Sequence, residues 1–319
     1  MNAPANDALG EILVDGAWSH RFVSAHGSRF HVAEMGSGPV VLFLHGFHQF
    51  WWMWRHHLPS VAEAGYRAVA VDLRGFGASD KPPRGHDTWT ASADIAALIR
   101  SLGEEGAVIV GHGLGGWTAW ATAYLHPQVC RALVTVSMPH PRVLRAVLRD
   151  PRRRPARRLL RRGAAVGLPL LSVPEREMAR PDFIARHLRA GSGSASVGFP
   201  SQAEVQRYTA ALALPFVTEC IAEHYRWLVR SQFRSSGRRL AAAMGRPLPL
   251  DVLALHGAED PWVAAPLIQR SSDYVSGMFS AHILPGVGHF VAEEAPEVST
   301  QALLDWLASS QSRSGPDQA

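Results

Sequence analysis

Gly111-His112-Gly113-Leu114-Gly115-Gly116 follows the short apolar run 108–110 and leads directly into 117–125, WTAWATAYL. The order predicts a buried strand, a glycine-rich tight turn and a helix. This is the context G-x-(nucleophile)-x-G, in which the turn holds its middle residue at φ > 0 and projects that side chain over the sheet edge. Small flanking residues let strand and helix approach. The N–H of the next residue, Leu114, falls at a helix N-terminus, where it can polarise an anion. Here the middle residue is Gly113, which has no side chain to project.

Outward from this turn, short β-branched runs alternate with helical patterns, the signature of a mostly parallel sheet covered by helices. Strands are predicted at 20–25, 30–35, 40–44, 68–71, 108–110, 133–136, 250–255 and 281–284. The unbroken apolar run 40–44 suits a central strand buried on both faces. Helices are predicted at 51–64, 90–102, 117–125, 267–275 and 296–307. The alternation stops between 140 and 248, where the chain is arginine-rich, proline-punctuated and mainly helical, with a Gly/Ser stretch at 191–198 that reads as flexible. The layout predicts one α/β core, 1–139 with 249–310, an eight-stranded sheet, and a helical lid over 140–248 inserted after the sixth strand. The polar tail 311–319 reads as disordered.

Composition narrows the class. The chain has 319 residues, 47% hydrophobic and 18% charged, as expected of a soluble globular protein. No apolar run approaches a membrane span, and the N-terminus lacks the basic and apolar regions of a signal peptide. Cys130 and Cys220 lie far apart and outside metal-type spacing, so free buried thiols and a cytoplasmic location are expected. The net charge is +5, with ten arginines between 142 and 162 against one acid, Asp150. That run suits either an anionic partner or a solvated helix face. No aromatic residues interleave it, which favours the solvated face and argues against nucleic acid.

Three further features agree with the turn. His45-Gly46-Phe47 closes the third strand, where a second oxyanion donor, the Phe47 N–H, would lie. Asp260, in HGAEDPWV, follows the seventh strand at the place of an acid that orients a histidine. His289, in GVGHF, follows the last strand, where the base belongs. The chain order of turn, acid and histidine is that of a catalytic triad on this kind of sheet.

With these residues in view, HGFHQFWWMWRHHLPSVAEAGYRAVAVDLRGFGASDKP, residues 45–82, resembles the α/β-hydrolase superfamily in its epoxide hydrolase branch. The related fluoroacetate dehalogenases share much of the pattern. The resemblance covers roughly residues 18–308 and implies a small-molecule pocket between sheet and lid. It implies an aspartate at the turn that opens an epoxide to an ester, a His–Asp pair that activates water, and lid tyrosines that protonate the opening oxygen. Tyr225, in EHYRWLVR, matches one of those tyrosines, and Trp52 matches a pocket-lining aromatic.

The sequence departs from this pattern at three places. Gly113 stands at the nucleophile position, so the covalent route is closed there. His48 stands where the family has proline, which makes it a candidate pocket residue, and 163–172 offers no first lid tyrosine. The readings left open are an enzyme driven by the His289–Asp260 dyad, through water activation or proton abstraction; a catalytically inactive binder of a small, largely apolar ligand; and a nucleophile-disabled variant of an active epoxide hydrolase. No cofactor is expected, because G-x-G-x-G-G at 111–116 lacks dinucleotide spacing. No metal is expected either: His45 belongs to the oxyanion motif, and His48, His56 and His57 lack carboxylate partners in sequence. Asp72 and the glycines of DLRGFGASD are expected to build a turn beside the site.

Overall fold

The computed structural model describes residues 9–149 and 173–313. Eight strands form one sheet: β1 (Ser19–Ala25), β2 (Ser28–Met35), β3 (Val40–Leu44), β4 (Arg67–Val71), β5 (Ala107–His112), β6 (Cys130–Val136), β7 (Val252–Gly257) and β8 (Phe279–Leu284). Their order is β1-β2-β4-β3-β5-β6-β7-β8. The β1–β2 and β2–β4 pairs are antiparallel, and every pair from β4 to β8 is parallel. All five residues of β3 are buried, as a run without alternation requires of a strand covered on both faces.

Helices α1 (His57–Glu63), α2 (Thr88–Ser101) and α3 (Leu114–Leu125) belong to the first half of the core. Between β6 and β7 the described residues form α4 (Pro141–Arg149), α5 (Val173–Met178), α6 (Phe183–Gly191), α7 (Gln202–Ala213), α8 (Val217–Ser231) and α9 (Ser235–Ala243). The second half adds α10 (Ala265–Gln269), α11 (Val291–Glu294) and α12 (Pro296–Arg313). Cys130 and Cys220 are free and buried. Among the described residues no helix is long and apolar enough to cross a membrane.

Four sequence expectations need correction. The helix expected at 51–64 is instead a 3-10 turn, Trp51–Trp54, followed by α1. All four residues of that turn are buried, which an amphipathic helix with one wet face would not allow. Pro59 has no N–H and is tolerated only in a first helical turn, so a new helix starts at His57. The helix expected at 267–275 is α10 and then a 3-10 turn, Arg270–Tyr274. Helix α12 continues to Arg313, into the segment read as a disordered tail. The Gly/Ser stretch 191–198 is pinned rather than free: the Ala195 N–H donates to the Gly286 carbonyl, the Gly193 N–H to Glu294, and Ser194 donates twice to Glu259.

Most of the arginine run, and residues 163–172, lie outside the described residues. Of its described members, Arg145 is buried and donates to the Gly237 carbonyl, so it ties α4 to α9 instead of facing solvent. Asp72 is fully buried. It accepts from His31 Nδ1 at 2.8 Å and from the Trp51 and Ala78 N–H groups at 2.8 and 2.9 Å, locking the turn after β4.

Candidate active site

Phe47, Gly113, Asp260 and His289 all follow the carboxyl ends of parallel strands, the edge where open α/β sheets form their ligand crevice. Gly113 lies between β5 and α3 at φ 51° and ψ −113°. Its neighbouring glycines and Gly113 itself are required for different reasons. A Cβ on Gly115 would stand 2.3 Å from the Leu44 carbonyl oxygen, and one on Gly111 2.4 Å from the Gly115 oxygen. Those glycines let β3, β5 and α3 close on one another. Among the described residues, a Cβ on Gly113 would meet only Gly46 Cα at 3.6 Å and His289 Nε2 at 3.8 Å. Here the backbone angle favours glycine, and a Cβ would make only ordinary contacts. Leu114 opens α3, so its N–H has no acceptor within the helix.

His289 and Asp260 meet beyond the ends of β8 and β7. His289 Nδ1 lies 2.7 Å from Asp260 Oδ2. Asp260 Oδ1 accepts from the N–H groups of Trp262 and Val263 at 2.8 and 3.1 Å. Burial alone would raise the Asp260 carboxyl, but His289, His256 and the Trp262 N–H hold it below the usual carboxylate range. An ionised carboxylate only accepts, so Nδ1 carries the proton and the Nε2 lone pair faces the Gly113 turn.

The backbone of His289 is fixed as firmly. Its N–H donates to the Gly191 carbonyl at 2.7 Å, and its carbonyl accepts from Ser137 Oγ at 2.7 Å and His112 Nε2 at 3.0 Å. Burial, with His289 nearby, pushes His112 down to about 3, so this ring is a neutral Nε2–H donor. Glu294 accepts from the Gly288 and Phe290 N–H groups on either side of His289. Glu294 also takes the Gly193 N–H, which joins the histidine loop to the segment after α6.

Aromatic rings cover this arrangement. Tyr225, on α8, stacks on Phe47 with centroids 3.8 Å apart and planes at 10°. His48, at φ 61°, has its Nδ1 3.3 Å from His187 Nε2 on α6. His187 stacks on Trp262 at 5.0 Å, and Trp262 lies 4.5 Å from the His289 ring. The structure thus brings His48, Tyr225 and Phe47 together, and links His48 to His289 through His187 and Trp262. Trp52 lies elsewhere. Its ring contacts among the described residues are Phe50, Tyr208 and the guanidinium groups of Arg55 and Arg207.

The remaining sequence candidates have other partners. His45 Nδ1 donates to the Gly46 carbonyl, and its Nε2 accepts the Leu73 N–H at 3.0 Å. His57 is paired with Ser299 Oγ. A small cavity of about 10 Å³ is lined by Leu114 with His86, Trp117, Thr118, His224 and Trp227 among others. Sequence reasoning missed His187, Trp262, Ser137 and Glu294. Trp262 was within reach, as it sits two residues after Asp260. Glu294 also lies close to His289 in sequence, whereas His187 and Ser137 are placed by contacts across the fold, 139 residues apart for His48 and His187 and 152 for Ser137 and His289.

A family model described as alpha/beta hydrolase fold matches residues 39–296. Epoxide hydrolase 3 of Xenopus tropicalis is 30% identical over 292 residues, spanning 88% of this chain and 75% of that protein. Epoxide hydrolase B of Mycobacterium tuberculosis is 29% identical, spanning 90% of this chain and 98% of that one. The solved structure of an epoxide hydrolase from an endophytic Streptomyces superposes with a TM-score of 0.77 at 28% identity, covering 93% of this chain and 97% of that chain. The chain belongs to the α/β-hydrolase fold family and, within it, to the epoxide hydrolase-like branch.

Proposed function

We propose that this chain hydrolyses a small, largely apolar electrophile, an epoxide or ester, by a non-covalent route in which His289 activates water. The substrate lies between the sheet edge and the helices of 140–248, which act as its lid. Gly113 stands at the nucleophile position of the family and offers no atom for attack. A water beside it gives its proton to His289 Nε2 and attacks the electrophilic carbon, and Asp260 stabilises the imidazolium that forms. The Phe47 and Leu114 N–H groups receive developing negative charge, and Tyr225 protonates the leaving oxygen. His48 lines the same chamber. Trp52 is bound up with Arg55 and Tyr208 and takes no part in these steps.

One observation carries this reading: the 2.7 Å contact between His289 Nδ1 and an Asp260 carboxylate that two backbone N–H groups also hold. Binding a ligand needs no oriented base of this kind. The bare turn favours a second reading, a binder that keeps the pocket without turnover. The test is hydrolysis of a panel of epoxides and short-chain esters by the unmodified chain and by His289→Ala and Gly113→Asp. The expected result is turnover that falls at least about 100-fold in His289→Ala. An inert unmodified chain, with activity appearing in Gly113→Asp, would overturn the enzyme reading in favour of the binder.

A further inference from the structure

Residues 9–14, ahead of β1, begin with a short helical turn and are tied to the rest of the molecule at three carbonyls. The Glu11 carbonyl accepts Arg207 of α7. Ile12 is fully buried, and its carbonyl accepts the Trp51 indole N–H at 2.9 Å. The Val14 carbonyl accepts the Trp18 indole N–H at 2.8 Å and His20 Nε2 at 2.9 Å. From His20 a row of side chains runs into the core. His20 Nδ1 lies 2.9 Å from His31 Nε2, and His31 Nδ1 lies 2.8 Å from Asp72 Oδ2. His31 and Asp72 are both fully buried.

Each contact in this row, from Val14 to Asp72, needs one hydrogen. A carbonyl oxygen only accepts, so His20 Nε2 carries a proton. Burial alone would raise the Asp72 carboxyl, but His31, His45 and the Trp51 N–H hold it below the usual carboxylate range. An ionised Asp72 also only accepts, so His31 Nδ1 carries a second proton. The contact between His20 Nδ1 and His31 Nε2 needs a third. Two neutral imidazoles bring only two N–H groups, so the row closes with one proton more than neutral rings supply. Burial holds His20 below the usual histidine range, which makes it the neutral ring of the pair.

We infer that His20 and His31 form a buried binding site for one proton, held as an imidazolium at His31 against the Asp72 carboxylate, and that this proton latches residues 9–14 to the core. The site lies apart from His289 and Gly113 and is independent of the function proposed above. Other charges facing the row are satisfied without it. Asp15 acts on His20 from the segment before β1. His45 is neutral, since its Nδ1 donates to the Gly46 carbonyl and its Nε2 accepts the Leu73 N–H. Lys81 donates to the Gly77 and Ser79 carbonyls. On β1 and β2, Arg21 pairs with Glu34 and Arg29 with Asp80.

Removing the proton leaves two acceptors facing each other in the interior, a cost borne by the folded chain alone. The unfolded chain gives up such a proton above about pH 6.5. This part of the stability is therefore full below that value and is lost as pH rises above it. The latched segment reaches both α7, through Arg207, and the Trp51–Trp54 turn, so its release would loosen α7 from the core.

Long-range ¹H–¹⁵N spectra of the histidine rings in the full chain at pH 8, assigned through side-chain correlations, count these protons directly. The expected result is His31 protonated on both ring nitrogens and His20 on Nε2 alone. One N–H on each ring would overturn the proton site. The latch is read by Glu-specific proteolysis after Glu11 at the same pH. His20→Gln can still donate to the Val14 carbonyl but loses the ring nitrogen that faces His31. It is expected to speed that cleavage at least about tenfold, as loss of a charge-assisted hydrogen bond implies. An unchanged cleavage rate would overturn the latch, since the Val14 contact alone would then hold the segment.

Discussion

The two sides of this site are built in opposite ways. His289 is gripped at its ring by Asp260, at its N–H by Gly191 and at its carbonyl by Ser137 and His112. Gly113, facing it, presents only backbone, where a Cβ would make no more than ordinary contacts. A buried carboxylate–imidazole pair adds little net stability, because desolvation offsets most of its attraction. The bracing of His289 is therefore hard to explain as a means of holding the fold together. It fits a base whose proton transfers depend on direction, opposed by a surface left free for a water or a ligand group.

The largest effect should come from breaking the braced side at Asp260. Asp260→Asn keeps the shape but places an amide N–H against His289 Nδ1, which drives the proton to Nε2 and removes the base. Turnover of whichever substrate the chain accepts is expected to fall about 10³–10⁴-fold, with thermal stability nearly unchanged. A loss of less than tenfold would mean that His289 does not act as the base.

Acid should attack the same side through His112. Its pKa is depressed to about 3 by burial and by His289, against an unfolded value of about 6.5. A histidine that folds neutral stabilises the native state fully above the unfolded value. That contribution is lost as pH falls from about 6.5 toward 3, by up to about 1.4 kcal/mol per pH unit for one proton. Urea midpoints measured across this range are expected to decline steadily. His112→Gln, whose amide can still donate to the His289 carbonyl, should flatten the slope. An unchanged slope would place the acid sensitivity in other buried histidines, such as His57 or His224.

The same contrast marks what the sequence discloses. All eight strands are legible because apolar runs bounded by turn residues leave few alternatives, and Asp260 and His289 are legible because each sits in a short motif directly after a strand. Residues that act through long-range contacts are not. Nothing local distinguishes His187 or Ser137 from other polar residues, and their partners exist only once α6 and β6 are in place. Gly191–Gly198 misleads for a related reason. Glycine there reads as freedom, yet a Cβ on Gly193 would stand 2.2 Å from the Gly286 oxygen, so it serves close backbone approach. The Trp51–Trp54 turn misleads because helical and 3-10 turns share the same apolar composition.

The glycines of the turn give a smaller and sharper test. Gly115→Ala forces a Cβ to within 2.3 Å of the Leu44 carbonyl, with the Leu44 carbon and His45 oxygen close behind. These are backbone atoms that cannot swing aside. A loss of about 3 kcal/mol is expected, at the upper end of overpacking costs, read as a lower midpoint in chemical denaturation. Loss of under 1 kcal/mol would show that α3 can shift relative to β3 and that the turn is not rigidly held.

Gly113→Ala should cost least, because its Cβ would make only ordinary contacts and the penalty comes from holding φ at 51° without glycine. That penalty is about 1 kcal/mol. The difference between this variant and Gly115→Ala separates a glycine required by packing from one required by backbone angle alone. A loss at Gly113 matching that at Gly115 would mean that the space beside His289 Nε2 is filled in solution. An attacking water could then not occupy it. A loss near 1 kcal/mol, with hydrolysis reduced because the methyl group displaces the reacting group, would establish that space as the place where reaction occurs.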